Sequence, residues 1–221
     1  MPASPPTIDR SSLQARLRAG ADELGLALTP AQNERLIDYL DLLVRWNAVY
    51  NLTAVRDPAE MVTRHLLDSL AIAPLVRGAT LVDLGTGPGL PGIPLAILAP
   101  ERAITLVDSN GKKIRFLREA VRVLGLTNAR VEQARVEDLR GQYDCITARA
   151  FAALGDILTW GGHLLAADGV CVAMKGVIDD SETSALPPGF RIEEIVPLGV
   201  PGLGAARHAV IIRRQIGENA E

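Results

Sequence analysis

The chain has few cysteines, few lysines, few histidines and no uninterrupted apolar run, and each shortage excludes a class of protein. Its two cysteines, Cys145 and Cys171, lie in separate apolar stretches. They exclude a disulfide scaffold and a cysteine-based zinc site, and they suit a reducing compartment. The longest apolar region, residues 81–100, is broken by Asp83, by glycines at 85, 87, 89 and 92 and by prolines at 88, 91 and 94, so no transmembrane helix fits it. Residues 1–10 contain no apolar core of a secretory signal, and the expectation is a soluble, cytoplasmic protein with no membrane partner. Of three histidines, His65 has no second His or Cys at ligand spacing, which predicts no metal. With 23 basic and 26 acidic residues the formal charge is −3, so a globally basic nucleic-acid binder is excluded while a local basic face is not. Twenty of the basic residues are arginine, which binds phosphate through a two-pronged fork.

What is present is a chain of 221 residues, 48% hydrophobic, long enough for an α/β domain with a helical addition. Apolar residues recur at Leu13, Leu17, Ala21 and Leu24 with a helical period. Thr29-Pro30-Ala31-Gln32 is a capping box with proline at the first helical position, followed by Leu36, Leu40, Leu43 and Asn47 on one face. Asp57-Pro58-Ala59-Glu60 repeats the start signal ahead of a Val62, Leu66, Leu70, Ala73 stripe. From Gly78 onward, strand candidates at 80–84, 104–107, 129–132, 144–147 and 170–174 alternate with helical patterns at 93–98, 112–124 and 154–165. Such alternation predicts a doubly wound, mostly parallel sheet. Two last strands, 191–196 and 208–212, are separated by too short a loop for a helical crossover, so they form an antiparallel pair and bring the sheet to seven strands. The expected division is a helical extension over 1–77, an α/β domain over 78–214 and a tail over 215–221, with 1–8 a frayed arm.

The stretch from Val82 to Gly92, VDLGTGPGLPG, carries the most chemistry. Glycines after a buried strand let the backbone turn tightly and approach a ligand, at the strand ends where open α/β sheets bind them. No Gly-Lys-Ser/Thr follows, which excludes a Walker loop. Gly87 to Gly92 matches the dinucleotide pattern G-x-G-x-x-G, but Gly87 stands four residues past Asp83 instead of directly after the strand. Counted from the strand end the pattern is Asp-x-Gly-x-Gly-x-Gly. An acid at that tip suits a cationic ligand such as the sulfonium and amino group of S-adenosylmethionine (SAM), and suits a pyrophosphate poorly. Asp108 ends the next strand, where a carboxylate can accept hydrogen bonds from both ribose hydroxyls.

Asp83–Gly92, Asp108 and the terminal strand pair resemble class I SAM-dependent methyltransferases. The strings WNAVYNLT (46–53), HLLDS (65–69), GTGPGLPG (85–92) and ARAF (148–151) resemble a narrower group, the bacterial 16S ribosomal RNA guanine-N7 methyltransferase G family, or glucose-inhibited division protein B. The resemblance spans residues 36–213. It implies SAM as cofactor, S-adenosylhomocysteine (SAH) as product, and 16S RNA, the 30S subunit or its assembly intermediate as partner, with no stable protein partner. It also implies cofactor contacts at Gly85, Leu90, Val136, Glu137 and Arg149, besides Asp83, Gly87, Gly89 and Asp108 in the loop pattern.

Few catalytic groups are visible, and N7 methylation needs few. The atom has a lone pair and no proton, so positioning and water exclusion supply most of the catalysis. No Asn/Asp-Pro-Pro-Tyr/Phe motif for exocyclic amines and no Pro-Cys nucleophile occurs; Cys145 reads as core. Arg149 and Glu137 are candidates to orient rather than to transfer protons, with a loop-holding salt bridge as the plain alternative for Arg149. Lys112, Lys113, Arg115, Arg118 and Arg122 put five basic residues in eleven positions of one helix, and Lys175, Arg207 and His208, with Arg135, fall at strand ends or loops. These are candidate RNA contacts, against the plain reading of a solvated face. Trp46 and Tyr50, four apart, fit either stacking of a flipped base or core packing. His65, Asn47 and Asn51 are expected to organise the junction beside the cofactor loop. Three other functions share parts of the pattern: a methyltransferase acting on small molecules, an NAD-dependent dehydrogenase, and a non-catalytic RNA-binding module.

Overall fold

The computed structural model describes residues 9–215; the arm expected at 1–8 and all but Gln215 of the tail expected at 215–221 lie outside the described residues. Helix α1 (Arg10–Glu23) is capped by the Asp9 side chain. In α2 (Pro30–Tyr50) the expected box is closed: Thr29 Oγ1 accepts from the Gln32 amide, and Gln32 Oε1 accepts from the Thr29 amide at 2.9 Å. Asp57 caps α3 (Pro58–Met61) through the Ala59 amide. The helix then widens into a π-helical segment, Val62–Leu67, before α4 (Asp68–Leu70). The stripe of Val62, Leu66 and Leu70 is fully buried, but it ends there. A 3-10 turn, Ala73–Leu75, breaks the register, and Ile72 rather than Ala73 takes the buried position.

Seven strands follow: β1 (Thr80–Leu84), β2 (Ala103–Asp108), β3 (Ala129–Gln133), β4 (Tyr143–Arg149), β5 (Leu165–Lys175), β6 (Phe190–Pro197) and β7 (His208–Arg214). Their order is β3-β2-β1-β4-β5-β7-β6, with β1 to β5 parallel and β7 antiparallel to both its neighbours, as the short last loop requires. Between them run α5 (Gly92–Leu98), α6 (Gly111–Val123), α7 (Leu154–Gly161) and α8 (Asp180–Ser184). The helical pattern expected over 154–165 stops at Gly161, since Gly161-Gly162 is a poor helix interior, and Leu165 opens β5. Helix α8 was not anticipated, although Asp179 and Glu182 have the spacing of a cap, and the Asp179 side chain accepts from the Glu182 amide.

Strand alternation sorts the core into two faces. Leu81, Leu106, Cys145 and Val172 face a cluster shared with α5, α6 and the N-terminal helices; Val82, Val107, Ile146 and Ala173 face α7. The N-terminal helices therefore cover one face of the sheet, and their core, from Leu17 through Leu36 and Leu66, continues without a break into Phe116 and Leu106. The Tyr39 hydroxyl of α2 donates to the Pro88 carbonyl at 2.8 Å, tying this cover to the glycine loop. A Leu66→Ala variant is expected to lose about 3 kcal/mol of stability through the cavity it leaves. Denaturant unfolding followed by both circular dichroism and tryptophan fluorescence should show a single transition, and two separated transitions would contradict the shared core.

Candidate functional site

The glycine loop is organised around one buried carboxylate. Asp83, fully buried, accepts from Thr86 Oγ1 at 2.5 Å and the Gly92 amide at 2.9 Å through Oδ2, and from Thr147 Oγ1 at 2.9 Å through Oδ1. The chain passes through positive φ at Gly85 (60°) and Gly87 (62°), a region that side chains enter at a cost. A Cβ on Gly85 would also lie 2.1 Å from the Phe151 ring, whereas one on Gly87 would meet nothing closer than 3.9 Å, so Gly87 is needed for its backbone angle alone. The Gly87 amide then donates to Asp108 Oδ2 at 3.0 Å.

Three adjoining hollows that share wall residues, together the trough, lie over the carboxyl ends of β1, β2, β4 and β5. The first, about 430 Å³, is lined by Gly85, Asp108, Val136, Glu137, Phe151 and Trp160 among others. The second, about 200 Å³, lies between the loop residues Gly85, Gly87 and Leu90 and the N-terminal residues Leu52, Thr53 and His65. The third, about 350 Å³, is lined by Arg64, Asp68, Arg149, Lys175 and Arg207. Ala150 borders all three and holds φ at 49°, an uncommon angle for a residue with a Cβ. The first hollow has a buried acceptor, Asp108, which already takes the Gly87 amide, the Asn110 amide at 2.8 Å and Lys113 Nζ at 3.1 Å. A carboxylate has about four acceptor sites, so one remains.

The expected cofactor contacts differ in whether they border a hollow. Asp83 borders none of the three hollows: one residue short of the end of β1, it is enclosed by Thr86, Thr147 and the Gly92 amide, and it brackets the loop. Gly89 packs toward Ile93 and Leu117 rather than lining a hollow. Gly85, Gly87, Leu90, Asp108, Val136 and Glu137 do border the trough, while Arg149 borders only its second and third hollows. There Arg149 Nη1 donates to Asp68 Oδ2 at 2.8 Å and to the Arg64 carbonyl at 3.0 Å, so the salt-bridge alternative is realised.

The basic candidates do not form one surface. Lys113 folds back onto Asp108, and Arg122 is held at 2.9 Å by Glu119 on its own helix; Lys112, Arg115 and Arg118 stay exposed. Lys175 pairs with Glu182, Arg207 Nε donates to Asp68 Oδ1 at 3.0 Å, and His208 Nδ1 lies 2.6 Å from the Gly176 carbonyl. Arg135 borders the first hollow. Trp46 and Tyr50 stack on each other with centroids 5.2 Å apart, Trp46 also meets Phe116 edge-on, and Arg115 stands over Tyr50, which is packing between α2 and α6. Asn47 takes the Thr53 amide at 2.9 Å, and Asn51 ends α2 in a left-handed conformation. His65 Nε2 is 2.9 Å from Thr53 Oγ1; burial, and next the charge of Arg149, pushes its pKa down to about 4, so the ring is neutral. Burial pushes the Cys145 thiol up to about 12, which removes it as a nucleophile. Arg64, Asp68, Thr53, Phe151 and Trp160 were not anticipated as site residues; HLLDS and ARAF contain Asp68 and Phe151, but only the fold turns them toward the trough.

Burial raises the Asp83 carboxyl from 3.8 to about 6, against the opposing hydrogen bonds of Thr86, Thr147 and Gly92 and the charge of Arg149. An acid that binds its proton more tightly when folded loses stability as it ionises. Its contribution is fullest below the unfolded value near 4 and declines as pH rises through about 6. The gap from 3.8 to about 6 corresponds to about 3 kcal/mol. Between about pH 4 and about pH 7, wild-type stability should therefore fall by about 3 kcal/mol relative to Asp83→Asn. Urea titrations at the two pH values check this, and parallel behaviour of the two proteins would contradict it.

The comparisons with known proteins follow the same geometry. A family described as rRNA small subunit methyltransferase G matches residues 32–211. The Ribosomal RNA small subunit methyltransferase G of Stenotrophomonas maltophilia is 56% identical over 206 residues, covering 91% of this chain and 95% of its own. That of Xanthomonas campestris pv. campestris is 60% identical over 181 residues, covering 81% and 85%. A solved coclaurine N-methyltransferase, bound to N-methylheliamine and SAH, aligns over 94% of this chain and 96% of its own with a TM-score of 0.57 at 12% identity, which speaks for the fold alone. The seven-stranded sheet is thus that of the class I methyltransferases, and the chain belongs to the rRNA small subunit methyltransferase G family.

Proposed function

We propose that this enzyme transfers a methyl group from SAM to N7 of a guanine in 16S ribosomal RNA, in the cytoplasm, on the small subunit or one of its assembly intermediates. One observation carries the reading: a nucleoside-sized hollow with a carboxylate acceptor shares the wall residue Ala150 with a hollow where Arg149 and Arg207 have one carboxylate, Asp68, between them. The first hollow suits SAM by its donor and acceptor set. Asp108 retains an acceptor site for a ribose hydroxyl, Val136 and Glu137 line the same hollow and are available to a purine edge, and Gly85 brings backbone to the wall without a side chain. When bound, the cofactor supplies a methyl group on a sulfonium, a good leaving group for in-line displacement.

The chain's own residues have a limited task. Guanine N7 has no proton to remove, and the residues near the middle hollow agree with that: His65 is held neutral and Asp83 is enclosed. Leu52, Leu90 and Ala150 narrow the middle hollow and exclude water, so the base and the methyl group meet in a fixed geometry. Arg149 and Arg207, which share the single carboxylate of Asp68, leave net positive charge at the far end, as a phosphodiester backbone requires. The family's name supports the ribosomal substrate, and among the described residues no helix is long and apolar enough to cross a membrane.

Labelled SAM incubated with 30S subunits from cells lacking this protein should yield 7-methylguanosine on nucleoside analysis; label on another atom, or none in RNA, would overturn the reading. Asp108→Ala should lower kcat/KM for SAM by about 10–100-fold, the loss of a charge-assisted hydrogen bond, with RNA affinity intact. The rate at saturating substrates should be level from about pH 7 to about pH 9, because no proton is abstracted in the step. A rise with slope one across that range would require a titrating base and contradict the mechanism.

A further inference from the structure

Asp68 stands out as the one buried carboxylate in the third hollow, 2% exposed, and each of its oxygens is taken by a different arginine. Arg149 comes from the end of β4 and Arg207 from the residue before β7, while Asp68 opens α4 directly after the π-helical segment. Three parts of the chain that are remote in sequence meet at this one side chain. A single carboxylate neutralises one guanidinium, so the trio keeps a net positive charge. Among the described residues, Arg149 makes its protein hydrogen bonds through Nη1 alone, and Arg207 through Nε and Nη1. The Nε and Nη2 of Arg149 and the Nη2 of Arg207 remain as donors, on side chains that border the hollow and are themselves 18% and 29% exposed. Lys175, by contrast, is spent on Glu182 and the Ala152 carbonyl.

We infer that Asp68 is a positioning residue for RNA: it holds Arg149 and Arg207 side by side so that their remaining donors form one anion-binding edge for a phosphate beside the target nucleotide. The inference rests on the RNA reading above and assigns part of the substrate grip to a residue that touches no substrate. Two guanidiniums this close repel one another, and the shared carboxylate is what keeps them adjacent. Fork geometry then matches two phosphate oxygens, which an ammonium would not. Asp68→Asn preserves size and one acceptor but removes the common counter-charge, so the two forks separate.

The test measures 16S RNA binding by filter retention across a salt series, and SAH affinity by calorimetry, for wild type, Asp68→Asn, Arg207→Met and the double variant. Asp68→Asn is expected to weaken RNA binding about tenfold, the loss of a charge-assisted hydrogen bond, and to lower the slope of log affinity against log salt by about one. In Arg207→Met, whose side chain borders the third hollow and neither of the other two, SAH affinity should stay within about twofold. The two substitutions should be non-additive, the double variant binding RNA about as Arg207→Met does, because Asp68 acts through the arginines. Unchanged RNA binding, additive losses, or a parallel loss of SAH affinity in Arg207→Met would overturn the inference. Should Asp68→Asn fail to fold, Arg207→Lys keeps the charge without the fork, and wild-type RNA affinity in that variant would overturn it equally. Wild-type protein that binds the RNA but makes no 7-methylguanosine would overturn the methylation reading alone; wild-type protein that does not bind it would overturn both.

Discussion

The geometry of the site depends on the enclosed carboxylate of Asp83. Its three protein hydrogen bonds join the first turn of the glycine loop (Thr86), the start of α5 (Gly92) and the neighbouring strand (Thr147). A charge that deep is costly, and hydrogen bonds from three sides offset only part of the cost, as the raised pKa of Asp83 shows. What it secures is the path of the backbone between them. Thr86 donates its amide to the Val107 carbonyl at 2.9 Å, and Gly87 then presents its amide to Asp108. The acid at the tip of β1 thus fixes the acid at the tip of β2, and only the second borders the hollow.

The second constraint is the cover of N-terminal helices. They contribute apolar area to the same core that α5 and α6 pack into, and they supply one wall of the trough through Thr53, His65, Arg64 and Asp68. Asn47 and Asn51 hold the turn after α2, so that Thr53 reaches His65, and the π-helical segment shifts the helix phase just where the buried His65 turns toward the middle hollow. The site is a seam: strand ends carry its cofactor half, and the meeting of sheet and cover forms the rest. A contact such as Tyr39 to Pro88 shows why the cover bears on the loop as well as on stability.

Much of this was legible in the sequence, because it is local. Periodicity placed the seven strands within a residue or two at most ends, and the Thr29–Gln32 box placed α2. The early start of β5 at Leu165 was missed because its pairing with Tyr143 is separated from the main ladder by an irregularity in register. Direction was harder to read than position. That Asp83 turns inward while Asp108 faces the hollow depends on partners in other strands, and that Lys113 and Arg122 spend their charge on neighbours depends on side-chain reach. The Asp68 cluster was the least legible, since its partners lie 81 and 139 positions away and no spacing rule connects them.

The division of the trough into a cofactor half and an RNA half is the central claim. The most direct measurement is a crystal structure of the protein with SAH bound. The account predicts the ribose against Asp108, the purine beside Val136 and Glu137, and the sulfur directed toward the middle hollow bordered by Ala150, with the third hollow left to solvent. SAH seated instead among Arg64, Asp68, Arg149 and Arg207 would contradict it.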